Sequence, residues 1–319
     1  MTGDEKNRRL FDMYCQHLPS LYQAVSHPTE NRFSYPALIH ISSDYENATY
    51  KLFVVGQNPG ENCLENRPRA QHLRESPWDQ SDESLHEHIG DIVQQLMEQY
   101  KEFNRRAYGK PFQNTALELN DMLNPGAGDN SFIWSNLVPV SYNKGNPETV
   151  KAVALCEAFR AVVHEIEIVR PEVVVFFTGW GLDPVLRVVF PGLELYSLAD
   201  IRPELLCMVQ HSLLPELSFR TYHARYLVQS KQKDKVLRDL VSQIRDPARR
   251  GLSPYLQLLP GTVDKYGRQL IESKGPYCVW RTPGGRAYHL CIYESKPIKI
   301  FYSMADAISA IPTCKSDVR

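Results

Sequence analysis

At 319 residues the chain is long for one domain and comfortable for two, and its 43% hydrophobic and 23% charged content is that of a globular protein. A net charge of -1 excludes bulk electrostatic attraction to nucleic acid and leaves only a local basic patch for that purpose. No apolar run approaches the roughly 20 residues of a membrane helix, and Met1–Lys6 has no apolar signal region, so a cytoplasmic protein without membrane contact is expected.

In chain order, Arg8–His27 carries a broken amphipathic pattern that predicts one or two helices, and Leu38–Ser42 reads as a short strand. Lys51–Val55 is an apolar strand that runs into the turn Gly56-Gln57-Asn58-Pro59-Gly60. Glycine lets backbone approach a ligand closely and proline stiffens the turn, so Asn58 is held rigidly at a strand end. Asn62–Asp82 is polar and reads as a long loop. Glu83–Tyr108 and Gln113–Leu123 follow helical spacing, the second ended by Asn124-Pro125-Gly126.

Ser131–Val140 predicts a second strand, Val150–Val169 one long helix stopped at Pro171, and Glu172–Phe177 a third strand. Thr178-Gly179-Trp180-Gly181 lacks the Lys and Ser/Thr of a phosphate loop and reads as a tight turn. Asp183–Val189 is helical in pattern, Leu205–Val209 and Leu217–His223 are strands, and Gln232–Ile244 is a helix. This alternation, with near-continuous apolar strands, predicts an α/β domain over residues 1–245 whose parallel or mostly parallel sheet is covered on both faces.

Asp246–Pro254 reads as a linker. Beyond it, residues 254–319 predict a small β-rich domain: Tyr277–Trp280 and Tyr288–Tyr293 flank a hairpin signal, Ile298–Tyr302 is a third strand and Met304–Ile311 a short helix. Nine basic residues against five acidic ones make DNA binding one reading of this domain, and a solvated surface the other.

Cys15, Cys63, Cys156, Cys207, Cys278, Cys291 and Cys314 form no C-x-x-C pair. Reduced, mostly buried thiols are expected, with no iron–sulfur cluster and no metal.

Ligands bind outside the carboxyl ends of strands in open α/β sheets. Asn58 follows the first strand, Asn136 lies in the second, and His223 follows Leu217–Tyr222. Two carboxamides and an imidazole are thus expected around one pocket. His211-Ser212 is a rival histidine position, and His223 is preferred because a strand precedes it and a helix follows.

The three segments resemble motifs of the uracil-DNA glycosylase superfamily. Gly56–Gly60 looks like its first motif in the branches with a Gly-x-Asn-Pro-Gly turn, where Asn replaces the Asp of other members. Phe132–Leu137 looks like the strand whose Asn reads the base edge, and Tyr222–Leu227 like the His-Pro motif, with Ala224 where proline is usual. The resemblance covers residues 35–245 and implies a three-layer α/β/α uracil-glycosylase-like fold.

It also implies a monofunctional DNA glycosylase that hydrolyses the N-glycosidic bond of a flipped pyrimidine and leaves an abasic site, with no cofactor. Asn58 and His223 would be catalytic, the first positioning a water and the second donating to the departing base. Gly56, Gln57, Asn136 and Phe112 would bind the base, with Trp78 and Tyr108 as further aromatic candidates. Lys144, Arg225, Tyr226 and Lys231 would meet DNA, Arg225 or Tyr226 as a wedge. The substrate would be uracil or a modified pyrimidine, in repair or, for bulky modified cytosine in phage DNA, in defence. The rival readings are a non-catalytic nucleic-acid or nucleotide binder on the same fold and a nucleotide-processing α/β hydrolase unrelated to DNA.

Overall fold

A computed structural model describes residues 1–25, 34, 36–59, 82–106, 110–141, 149–198, 201–246, 253–254, 269–274, 277–281, 288–292 and 299–301. The expected loop Asn62–Asp82, all but its last residue, and the helix Met304–Ile311 lie outside them. The chain divides into two compact units, Met1–Ser253 and Pro254–Arg319.

In the first unit, helices α1 (Gly3–Val25) and α2 (Ser43–Asn47) lead into β1 (Leu52–Gly56). Next come α3 (Asp82–Arg106), α4 (Pro111–Leu123), β2 (Phe132–Asn136), α5 (Thr149–Ala158), α6 (Ala161–Val169) and β3 (Val173–Phe176). A 3-10 turn (Trp180–Leu182) precedes α7 (Asp183–Val189), β4 (Glu194–Ser197), β5 (Leu206–Gln210), β6 (Leu217–Thr221), α8 (Ala224–Gln229) and α9 (Lys233–Arg245). The two-residue β7 (Ser253–Pro254) marks the boundary of the units.

The six strands of this unit lie in the order β2-β1-β3-β6-β5-β4. Strands β2, β1, β3 and β6 run parallel. β5 runs antiparallel to β6 and β4 antiparallel to β5, so the sheet, expected to be parallel or mostly parallel, is mixed with β5 alone reversed. The connections explain this: only 211–216 join β5 to β6, whereas a parallel crossover needs a dozen or more residues. Every residue of β1, β2 and β3 is buried, as strands covered on both faces require. The helices form two groups, α1 with α3, α5 and α6 (and α7 on α5), and α4 with α8 and α9, an arrangement compatible with three α/β/α layers.

Two sequence expectations differ from the fold, and one strand was not expected. Leu38–Ser42 is not a strand, because α1 satisfies its backbone: Ile39 N–H donates to Tyr14 Oη at 3.0 Å and Ile41 N–H to Asn7 Oδ1 at 2.8 Å. Val150–Val169 is two helices rather than one, broken where the buried Phe159 ring meets Tyr14 and His17 of α1. β4 had no expectation in the sequence; its burial does not alternate.

The second unit holds a four-stranded antiparallel sheet of β8 (Gln269–Lys274), β9 (Tyr277–Arg281), β10 (Tyr288–Ile292) and β11 (Lys299–Phe301), in the order β11-β10-β9-β8. The β9–β10 hairpin pairs Cys278 with Cys291 and Tyr288 with Arg281. A register shift interrupts β8 at Leu270/Glu272. No described helix is long and apolar enough to cross a membrane.

Candidate functional site

Parallel strands bring their carboxyl ends to one edge, and register fixes which residues meet there. Gly56 is opposite Asn136, Val55 opposite Phe176, and Phe176 opposite Arg220. Asn58 lies two residues past β1, Asn136 ends β2, and His223 lies two residues past β6. With β3 between β1 and β6, the turns bearing Asn58 and His223 are two strand spacings apart, about 10 Å.

The turns are tied together below these side chains. Leu137 N–H donates to Gly56 O and Val138 N–H to Gln57 O, both at 2.9 Å. Gln57 Nε2 donates to Thr178 O at 2.7 Å, so this amide, expected at a substrate, joins the β1 turn to the end of β3. Gly179 N–H donates to Thr221 O at 2.9 Å, closing β3 onto β6. Gly179 has φ 73°, a conformation that costs only glycine little, and its missing Cβ leaves Tyr222 Cδ1 and His223 N 3.7 Å from that point.

Asn136 is the most informative of the three. Its side chain is 5% exposed, and its Nδ2 has no hydrogen-bond partner among the described residues. Native proteins rarely leave a buried donor unpaired, because desolvating it costs about 1–3 kcal/mol. Its Oδ1 turns toward Gly56, where a Cβ would come within 3.1 Å of it and within 3.3 Å of the Phe112 ring. Glycine at 56 thus lets an amide and an aromatic edge converge on one point. Phe112 is itself held edge-on to Trp134 and Phe177. Thr178 Oγ1, buried just past β3, is a second atom without a partner among the described residues.

His223 is the N-cap of α8, its Nδ1 accepting the Arg225 N–H at 3.3 Å. That bond requires a bare Nδ1, so the neutral ring carries its proton on Nε2. Burial, then the nearby Arg225 guanidinium, lower the imidazole pKa and favour this neutral form. His211 is at the opposite edge because β5 runs the other way. There it lies 3.0 Å from Pro191 O, with its ring against Phe190.

Asn58 is half-buried on the β1 turn. Arg225 and Lys231 are exposed, and Tyr226 is 46% exposed with its ring stacked on Tyr222. Lys144, Trp78 and Tyr108 lie outside the described residues. Lys233 on α9, on the same side, is engaged by Glu118.

Two fully buried charged groups were not anticipated. Glu165 of α6 is fully buried and accepts hydrogen bonds from Tyr14 and from Ser135, the neighbour of Asn136. Burial pushes its carboxyl up to about 7 despite those donors. Arg220 of β6 is fully buried and bonds Asp183 at 2.9 Å, Pro203 O at 2.9 Å and Glu204 O at 3.1 Å. A charged residue amid apolar ones at 165 and 220 was the only signal of either. Cys156 and Cys207 are buried, each thiol pushed up to about 12 by desolvation.

A cleft of about 830 Å³ opens at the amino ends of β3 and β6, between Arg9, His17, His164, Arg170 and Leu213, away from Asn58, Asn136 and His223. Among the described residues, no three His, Cys, Asp or Glu side chains are grouped to hold a metal ion. No protein-family model and no curated protein matches the chain.

Proposed function

We propose that the first unit is a monofunctional DNA glycosylase on the uracil-glycosylase fold, hydrolysing the bond between a flipped pyrimidine and its sugar. The observation that carries the reading is the buried Asn136 amide, whose Nδ2 has no partner among the described residues and whose Oδ1 faces a glycine and an aromatic edge. A pyrimidine edge offers a donor and an acceptor side by side, the complement of a carboxamide. Binding the base would satisfy the atom that has no partner among the described residues.

In this mechanism the C1′–N bond breaks with its electrons going to the base. His223 Nε2–H donates to the base oxygen on which charge develops, a bond aimed at the transition state. Asn58 positions the water that adds its oxygen to C1′, and the water's proton leaves to solvent or to the departing base. An amide cannot accept that proton as a carboxylate does, so slower turnover than in an Asp-bearing site is expected. No lysine stands in the three motif turns, so a Schiff-base route is not part of the proposal.

The test is incubation with oligonucleotides carrying uracil, mispaired thymine and modified cytosines, and with phage genomic DNA. Released bases are identified by mass and abasic sites by alkaline scission. The expected result is release of one class of pyrimidine, lost in Asn58→Ala while DNA affinity remains. Absence of base release from every substrate overturns the reading.

A further inference from the structure

We propose that Tyr226, stacked on Tyr222 while Trp180 holds Tyr222 in place, forms a stacking ladder for an unpaired nucleobase beside the reacting nucleotide. The proposal rests on reading this sheet edge as a nucleic-acid site.

Trp180 Nε1–H donates to Tyr222 Oη at 3.0 Å, which fixes the inner tyrosine. Tyr226 lies on Tyr222 with ring centroids 4.2 Å apart and planes 28° apart. The outer ring is 46% exposed, and Val228, on the same short helix, is also 46% exposed. An aromatic ring laid flat on another is not extended as a wedge; it offers one open π face. A base inside a duplex has both faces covered by its neighbours, so an open ring face meets only bases that are out of the stack.

The surroundings suit a phosphate backbone. Residues 222–233 contain Arg225, Lys231 and Lys233 and no Asp or Glu. Arg225 and Lys231 are exposed, and Lys233 is engaged by Glu118. Tyr226 is three positions beyond His223, so the base it takes flanks the one that His223 faces. Glycine at 179 is part of the device, since its φ of 73° would strain any side chain in the turn that lies against Tyr222.

The test uses the full chain and a short labelled oligonucleotide, single-stranded and as a duplex, with 2-aminopurine on either side of the target base. Tyr226→Ala should weaken single-strand binding about 5- to 150-fold, the worth of one stacked base, and leave duplex binding within about twofold. Tyr226→Phe keeps the ring and should restore the affinity. The 2-aminopurine fluorescence should be quenched on one side only, and not in Tyr226→Ala.

Unchanged single-strand affinity in Tyr226→Ala overturns the ladder. So does a loss confined to duplex, which is the behaviour of a wedge. Binding needs no turnover, so the two readings fail separately. Base release without Tyr226-dependent affinity removes the ladder and keeps the glycosylase; Tyr226-dependent affinity without base release from any substrate does the reverse.

Discussion

Replacing Asn136 by leucine separates function from stability. The side chain is 5% exposed and its Nδ2 has no partner among the described residues. With no partner among the described residues this donor is desolvated without return, a cost of about 1–3 kcal/mol. Leucine is close to asparagine in shape and buries no polar atom. The absent Cβ of Gly56 leaves space for the branch that replaces Oδ1. Asn136→Leu should therefore raise the unfolding free energy by about 1–3 kcal/mol, with about 2–4 °C of thermal midpoint for each kcal/mol in a unit of this size. Base release should fall at least about 100-fold, because the base edge then faces hydrocarbon. Thermal unfolding followed by circular dichroism, with base release measured on the same preparation, tests both halves. A lowered midpoint would refute the reasoning, since it would mean that the amide holds the native structure together rather than waiting for a ligand.

Gly56→Ala should cost about 1–3 kcal/mol by overpacking against Asn136 Oδ1 and Phe112, and reduce base release by about 100-fold through their displacement; urea titration and turnover assays check it. Asp183→Ala strands the Arg220 guanidinium in the interior and should destabilise by about 3–5 kcal/mol, whereas the paired change Asp183→Leu with Arg220→Met should recover most of this in chemical denaturation. Glu165 titrates at about 7 in the fold because it is buried, against an ordinary value of 4.5, so the folded state keeps a proton that the unfolded chain releases. Stability should fall by about 3 kcal/mol as pH rises from 4.5 to 7, and Glu165→Gln should flatten that slope in denaturation series at pH 5 and 8.

Local elements under short-range physical control were legible in the order of residues alone. Continuous apolar runs bounded by Gly and Pro gave β1 and β3, helical spacing gave α4, α7 and α9, and alternation beside a Pro-Gly-Gly turn gave the β9–β10 hairpin. The same order also placed Asn58, Asn136 and His223 at strand ends, because that needs only the strand limits and a parallel relation among them. Where long-range contacts decide, the sequence was silent. Nothing near Leu38–Ser42 says that α1 side chains will take its N–H groups in place of a neighbouring strand. Nothing in Val150–Val169 marks the break that Tyr14 and His17 impose through Phe159. The reversal of β5 moved His211 to the far edge and left His223 at the site, a choice between two similar local sequences made by strand direction. The convergence of Asn136 and Phe112 on Gly56 joins residues up to 80 positions apart. Side-chain chemistry and periodicity are encoded locally; burial, hydrogen-bond partners and the facing of one group toward another exist only once the sheet has closed.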